Sequence, residues 1–149
     1  MTEGWLNFDY VILFSQSERM AYSRKYKIGN YLPGFTLAGI YDWNYFLVTD
    51  VEGTMYSLPS LPLDIQSIKK FSLPENYTLE TDERYSEKVR WYLKPEIVGG
   101  NPRDGKNLVW VSLDLHADLI SWWNDKLAIK QTDSTSYADS YPTVLKVAC

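Results

Sequence analysis

The amino-acid sequence predicts an α+β domain in which a central antiparallel β-meander packs against an N-terminal and a C-terminal helix. Three stretches carry that prediction. Tyr31–Pro62, YLPGFTLAGIYDWNYFLVTDVEGTMYSLPSLP, sets runs of strand-favouring residues between two clusters of turn formers, which gives three short strands and two turns. Ser15-Gln16-Ser17-Glu18 has the spacing of a capping box, in which the serine hydroxyl accepts an N–H three residues on while the glutamate reaches back. From Leu113, LDLHADLISWWNDKLAI keeps apolar residues at helical spacing throughout. A chain of 149 residues buries roughly 70% of its unfolded surface, so one core suffices. No internal repeat, low-complexity block or linker divides residues 1–149, which read as a single domain.

Taken in order, Phe8–Phe14 is a short apolar run that fits a strand or a buried helical start. The capping box starts a helix over Gln16–Lys27 that Gly29 ends, with Tyr22 and Tyr26 on its buried face and Arg24, Lys25 and Lys27 solvated. In the first meander strand, Phe35, Leu37, Gly39 and Tyr41 share one face and Thr36, Ala38 and Ile40 the other. Asp42-Trp43-Asn44 makes the first turn, Tyr45–Thr49 the second strand, Asp50-Val51-Glu52-Gly53 the next connection and Thr54–Leu58 the return strand. Pro59 and Pro62 stop it. Asp64 caps a short helix that carries Ile65, Ile68 and Phe71 inward, and Ser72–Thr81 is a surface loop. From Asp82, Tyr85, Val89 and Tyr92 keep helical spacing, while Val89, Trp91 and Leu93 keep strand spacing until Pro95. Gly99–Lys106 is a turn-rich loop and Asn107–Ser112 a strand. Ser112 is the N-cap of the last helix, with Asp114 at the positive end of its dipole, and the helix packs on the sheet. Gln131–Tyr141 is a polar connection, and Pro142–Val147 adds an edge strand.

Composition narrows the function classes. With 15 basic against 19 acidic residues, a net charge of −4 and an isoelectric point near 5.0, the chain is poorly suited to nucleic acid or an anionic membrane and better suited to a basic partner. The lone Cys149 forms no internal disulfide, and the N-terminus has neither a basic leader nor a long apolar run, so a cytoplasmic protein is expected. Six Trp and twelve Tyr supply apolar bodies with polar tips, useful in cores and in interfaces alike.

The motifs for chemistry do not assemble. Gly100–Asn107 has the G-x-x-x-x-G-K spacing of a phosphate loop, but Asn107 replaces the magnesium-binding hydroxyl and a strand follows where a helix is needed. His116 is the only histidine, and on its helix it reads as a packed residue. No catalytic, cofactor or metal residue is assigned. Among the many carboxylates, Asp42, Asp50 and Glu52 in the meander turns form a candidate acidic contact surface with Trp43, which is either an interface anchor or core folded over the sheet edge.

Tyr31-Leu32-Pro33-Gly34-Phe35 leading to the Asp42-Trp43-Asn44 turn, the Lys88–Gly100 segment KVRWYLKPEIVGG, and NLVWVSLDLHADLISWWN from Asn107 to Asn124 together resemble the SUKH-type immunity proteins that neutralise bacterial polymorphic toxins. The resemblance covers the middle two thirds of the chain, which lacks the Asn-Gly turn typical of that superfamily. It implies stoichiometric inhibition of a cognate toxin, such as a basic nuclease or another secreted effector. An acidic, aromatic patch at Asp42, Trp43, Asp50 and Glu52 would occlude the toxin's active site. The alternatives are an adaptor or structural component of a phage or secretion assembly, and a small enzyme using carboxylates alone.

Overall fold

Strand pairing follows chain order. In the computed structural model, which describes residues 1–130, one antiparallel sheet contains β1 (Thr2–Leu6), β2 (Asp9–Leu13), β3 (Thr36–Tyr41), β4 (Tyr45–Thr49), β5 (Met55–Pro59) and β6 (Lys69–Lys70), adjacent in that sequence. A separate hairpin pairs β7 (Lys88–Tyr92) with β8 (Leu108–Ser112). Three helices complete the mixed α+β architecture: α1 (Gln16–Lys25), the single-turn α2 (Ile28–Tyr31) and α3 (Leu113–Lys130). The connection after Lys130 and the edge strand at Pro142–Val147 lie outside the described residues, as does Cys149.

Within the Phe8–Phe14 run, Asp9–Leu13 is a strand with both faces covered, while Phe8 lies in the turn before it, 94% exposed. Tyr10, Ile12 and Phe14 enter the main core, while Val11 and Leu13 join a smaller cluster on the opposite face. That explains why its sequence lacks polar alternation. The strand before it, β1, carries no such signal and was not expected. Backbone bonds between Trp5 and Glu80, at 2.8 and 2.9 Å, cover its outer edge.

The capping box forms as predicted, with the Ser15 hydroxyl accepting the Glu18 N–H and the Glu18 carboxylate accepting the Ser15 N–H at 2.8 Å. The helix ends earlier than expected. Tyr26 is its C-cap, Lys27 turns the chain at φ 54°, and Gly29 lies inside α2 rather than terminating α1. Tyr26 is fully buried and Tyr22 stacks on Phe14 with centroids 4.1 Å apart, so the anticipated inner face holds.

The three meander strands form, but the return strand runs Met55–Pro59, so Pro59, expected to stop it, pairs with Tyr45 as its last residue, and the faces of β3 differ from the prediction. A register irregularity between Leu37 and Gly39 breaks the alternation, so Leu37 and Ile40 share the main core while Ala38 and Tyr41 share the opposite cluster. Gly39 is required at this point: a Cβ there would stand 2.3 Å from the Ile12 carbonyl oxygen. Asp64 caps a 3₁₀ turn, Ile65–Ser67, that is too short to bring one face inward. Ile65 is exposed, Ile68 packs on the main core and Phe71 on the opposite cluster.

Strand spacing wins in the ambiguous segment. A 3₁₀ turn at Glu83–Tyr85 is followed by β7, which buries Val89 and Trp91. Ser112 then caps α3 through the Leu115 N–H at 3.2 Å. His116, Leu119, Ile120 and Trp123 of α3 share one core with Phe46, Val48 and Leu58 of the large sheet. Buried Asn124 ties the helix to the exit of β5. Its amide accepts from the Leu63 N–H at 2.7 Å and donates to the Ser60 carbonyl at 3.1 Å.

Candidate functional site

The site grows from the first meander turn. Tyr41 pairs with Tyr45, leaving Asp42, Trp43 and Asn44 to reverse the chain, and both Asp42 (φ 49°) and Trp43 (φ 56°) adopt the left-handed conformation. For a residue with a Cβ that conformation costs roughly 1–2 kcal/mol, and a tryptophan is an unusual occupant. Surrounding rings offset the cost. Trp43 stacks on Tyr10 at 5.2 Å and meets the edges of Trp5 at 5.7 Å and Trp110 at 5.2 Å, leaving it only 6% exposed. Each such aromatic pair contributes about 0.5–1.5 kcal/mol beyond area burial. Trp43 is therefore core, which decides between the two readings of the sequence.

Carboxylates hold this aromatic junction together. Asp82 accepts the Trp5 indole N–H at 3.0 Å and pairs with Arg84, and these two contacts, the arginine first, hold its carboxyl well below the usual range. Glu3 accepts the Tyr10 hydroxyl at 2.5 Å, and Asp9 accepts that of Tyr41. These acids are occupied in the fold.

Arg90 lies beside the junction, directly opposite Trp110 in the β7–β8 pairing. Its guanidinium sits 5.0 Å from the Trp43 ring and 5.3 Å from the Tyr92 ring, within cation–π distance of both. Among the described residues it makes no ion pair and donates to no acceptor, and its Nε is buried without one. The indole nitrogens of Trp43 and Trp91 are likewise buried without a partner. Asp42 feels the charge of Arg90 without bonding to it. Burial pushes the Asp42 carboxyl up, with Arg90 opposing and Asp9 adding to the rise.

These residues line a cleft of about 200 Å³ between the end of the large sheet and the segment following β7. Its lining includes Trp43, Arg90 and Trp91, the apolar Tyr45, Leu61 and Ile97, and exposed Glu96. Tyr45 is 40% exposed and Ile97 51%, and Trp110, which touches Trp43, is 38% exposed.

The four residues expected to form one acidic contact do not come together. Asp42 and Trp43 precede β4 while Asp50 and Glu52 follow it, and a five-residue strand separates its ends by ~16 Å. Asp50 is engaged in its own turn, where it accepts from the Glu52 and Thr54 N–H groups at 3.0 Å and from the Tyr56 hydroxyl at 3.2 Å. Glu52 is exposed. The sequence did not single out Arg90 or Tyr45; an arginine alternating with buried strand residues, Val89-Arg90-Trp91, was the available signal.

His116 is a packed histidine, 1% exposed, with Nδ1 2.7 Å from the Tyr26 hydroxyl and a pKa pushed down to about 3 by burial. The Gly100–Asn107 loop runs through a 3₁₀ turn into β8, so no helix dipole faces a phosphate there. Among the described residues no three His, Cys, Asp or Glu side chains converge as metal ligands, and no helix is long and apolar enough to cross a membrane. No family model matches this chain, and neither the curated proteins nor the solved structures contain a match.

Proposed function

We propose that the chain is a non-catalytic inhibitor that neutralises a partner protein by occluding it, as the resemblance to SUKH-type immunity proteins implies. The cleft at Trp43 and Arg90, rather than the acidic turns, is the contact. One observation carries the reading: tryptophan, tyrosine and arginine, the residue types that dominate interface energetics, concentrate at a single cleft with Tyr45, Ile97 and Trp110 exposed around it. Buried aromatic anchors slow dissociation, and the net charge of −4 speeds encounter with a basic partner, so the two act on different rate constants. On this reading the protein acts in the cytoplasm and does no chemistry of its own.

The test starts with the tagged chain, recovered from its native cell together with what it binds. Titrating a co-purified enzyme with the purified chain should abolish its activity at one-to-one stoichiometry. The double variant Tyr45→Ala/Arg90→Ala should weaken inhibition by roughly a hundredfold, the effect of losing two hot-spot residues. Recovery of assembly proteins alone, or of the chain alone, would replace this reading with the adaptor one.

A further inference from the structure

We propose that the cleft receives an acidic side chain of the partner, flanked by apolar residues, with Arg90 as its cation. This rests on the cleft being the partner contact. The argument begins with what the cleft is short of. The chain has four more acidic than basic residues, 19 against 15, yet among the described residues Arg90 has no carboxylate partner and its Nε no acceptor. A guanidinium with no carboxylate beside it keeps its strong charge-assisted hydrogen bonds for an acceptor from outside.

The geometry favours a carboxylate. A guanidinium presents a planar fork that matches two carboxylate oxygens, and the Trp43 and Tyr92 rings, 5.0 and 5.3 Å from its carbon, hold the cation at the cleft before anything binds. The indole nitrogens and the Arg90 Nε are covered, so an entering acid meets the terminal guanidinium nitrogens first. Apolar surface borders the cation from two separate elements, Tyr45 at the start of β4 and Ile97 after β7, which suits a chain crossing the cleft with apolar neighbours on its acid. One acid of the protein itself lines the same space: exposed Glu96 is an internal competitor.

The experiment titrates the whole chain with short peptides and follows the Trp43 and Trp91 indole and Arg90 Nε–H resonances. A Leu-Glu-Phe peptide blocked at both ends should produce saturable shifts, and the matching Leu-Gln-Phe peptide should bind about tenfold or more weakly, as expected for losing a charge-assisted pair. Arg90→Lys keeps the charge but loses the fork and should weaken the glutamate peptide about tenfold, whereas Glu96→Gln should tighten it about two- to threefold. If Arg90→Lys does not fold, the peptide comparison and Glu96→Gln still decide. Equal binding of the two blocked peptides would overturn the proposal. So would preference for Leu-Gln-Phe with a free C-terminal carboxylate, or response to inorganic phosphate alone. One-to-one inhibition of a partner by a chain that ignores the peptide charge would sink this inference and leave occlusion standing; charge-selective peptide binding without inhibition would do the reverse.

Discussion

Strand β4 joins two turns that read alike in the sequence and behave as opposites in the fold. At its start, Asp42-Trp43-Asn44 is held from outside, by rings from β1, β2 and β8 closing on Trp43. At its end, Asp50–Gly53 is held from within, because the Asp50 carboxylate accepts two of the turn's own N–H groups and Gly53 takes the left-handed position at φ 86°. One turn has become core and the wall of a cleft. The other leaves Val51 90% exposed. An acid beside a strand end thus specifies a reversal of the chain, and its neighbours in space decide whether the reversal does anything else.

The sharpest way to break the contrast is to truncate both tips. Trp43→Ala should cost about 3–5 kcal/mol in urea unfolding, the usual loss for a buried large aromatic, whereas Val51→Ala should stay within about 0.5 kcal/mol. Comparable losses would mean that the two turns are not different in kind. Next in size is Asn124→Leu, which leaves the Leu63 N–H and the Ser60 carbonyl behind the cleft unpaired and should cost about 2–3 kcal/mol. The same measurement reads it.

A pH series sharpens the comparison further. Behind the cleft, His116 touches the Trp91 ring at 5.7 Å, and burial holds its pKa down at about 3. Unfolded, it titrates near ~6.5, so below that pH the unfolded chain takes up a proton that the native state refuses. Its contribution is complete above pH ~6.5 and falls by up to about 1.4 kcal/mol per pH unit on acidification toward 3. His116→Phe should flatten unfolding midpoints across that window, while Val51→Ala follows the parent curve. An unchanged slope in His116→Phe would show that other groups carry the dependence. Smallest is Asp50→Ala, which removes a solvated turn cap and should cost about 1 kcal/mol with no change in partner inhibition.

Local signals in the sequence proved reliable where local physics decides. The Ser15–Glu18 box, the three meander strands, the Asp64 and Ser112 caps and the α3 stripe each depend on residues within a few positions of one another. What escaped notice depends on distant partners. Strand β1 has little alternation of its own and is ordered by pairing with β2 and Glu80. The exchange of faces in β3 follows from a register irregularity that no periodicity records. Tyr85 and Val89 kept helical spacing, yet Glu87 at φ 59° breaks the chain between them and β7 follows. The cleft was half legible, since Trp43 stood out beside its turn, but Arg90 acquires meaning only when β7 lies against that turn.

The order of strands in the large sheet also bears on time. Each strand bonds to the next one along the chain, so most of the sheet forms by closing short loops at little entropic cost. The junction is different: it joins Trp5 to Asp82 across 77 positions, as the core behind it joins Tyr26 to His116 across 90. Contacts of that separation close long loops and carry the larger entropic cost of the fold. On the proposed reading, a partner seated in the cleft would bind only the folded chain and so prolong the life of the native state rather than hasten its arrival.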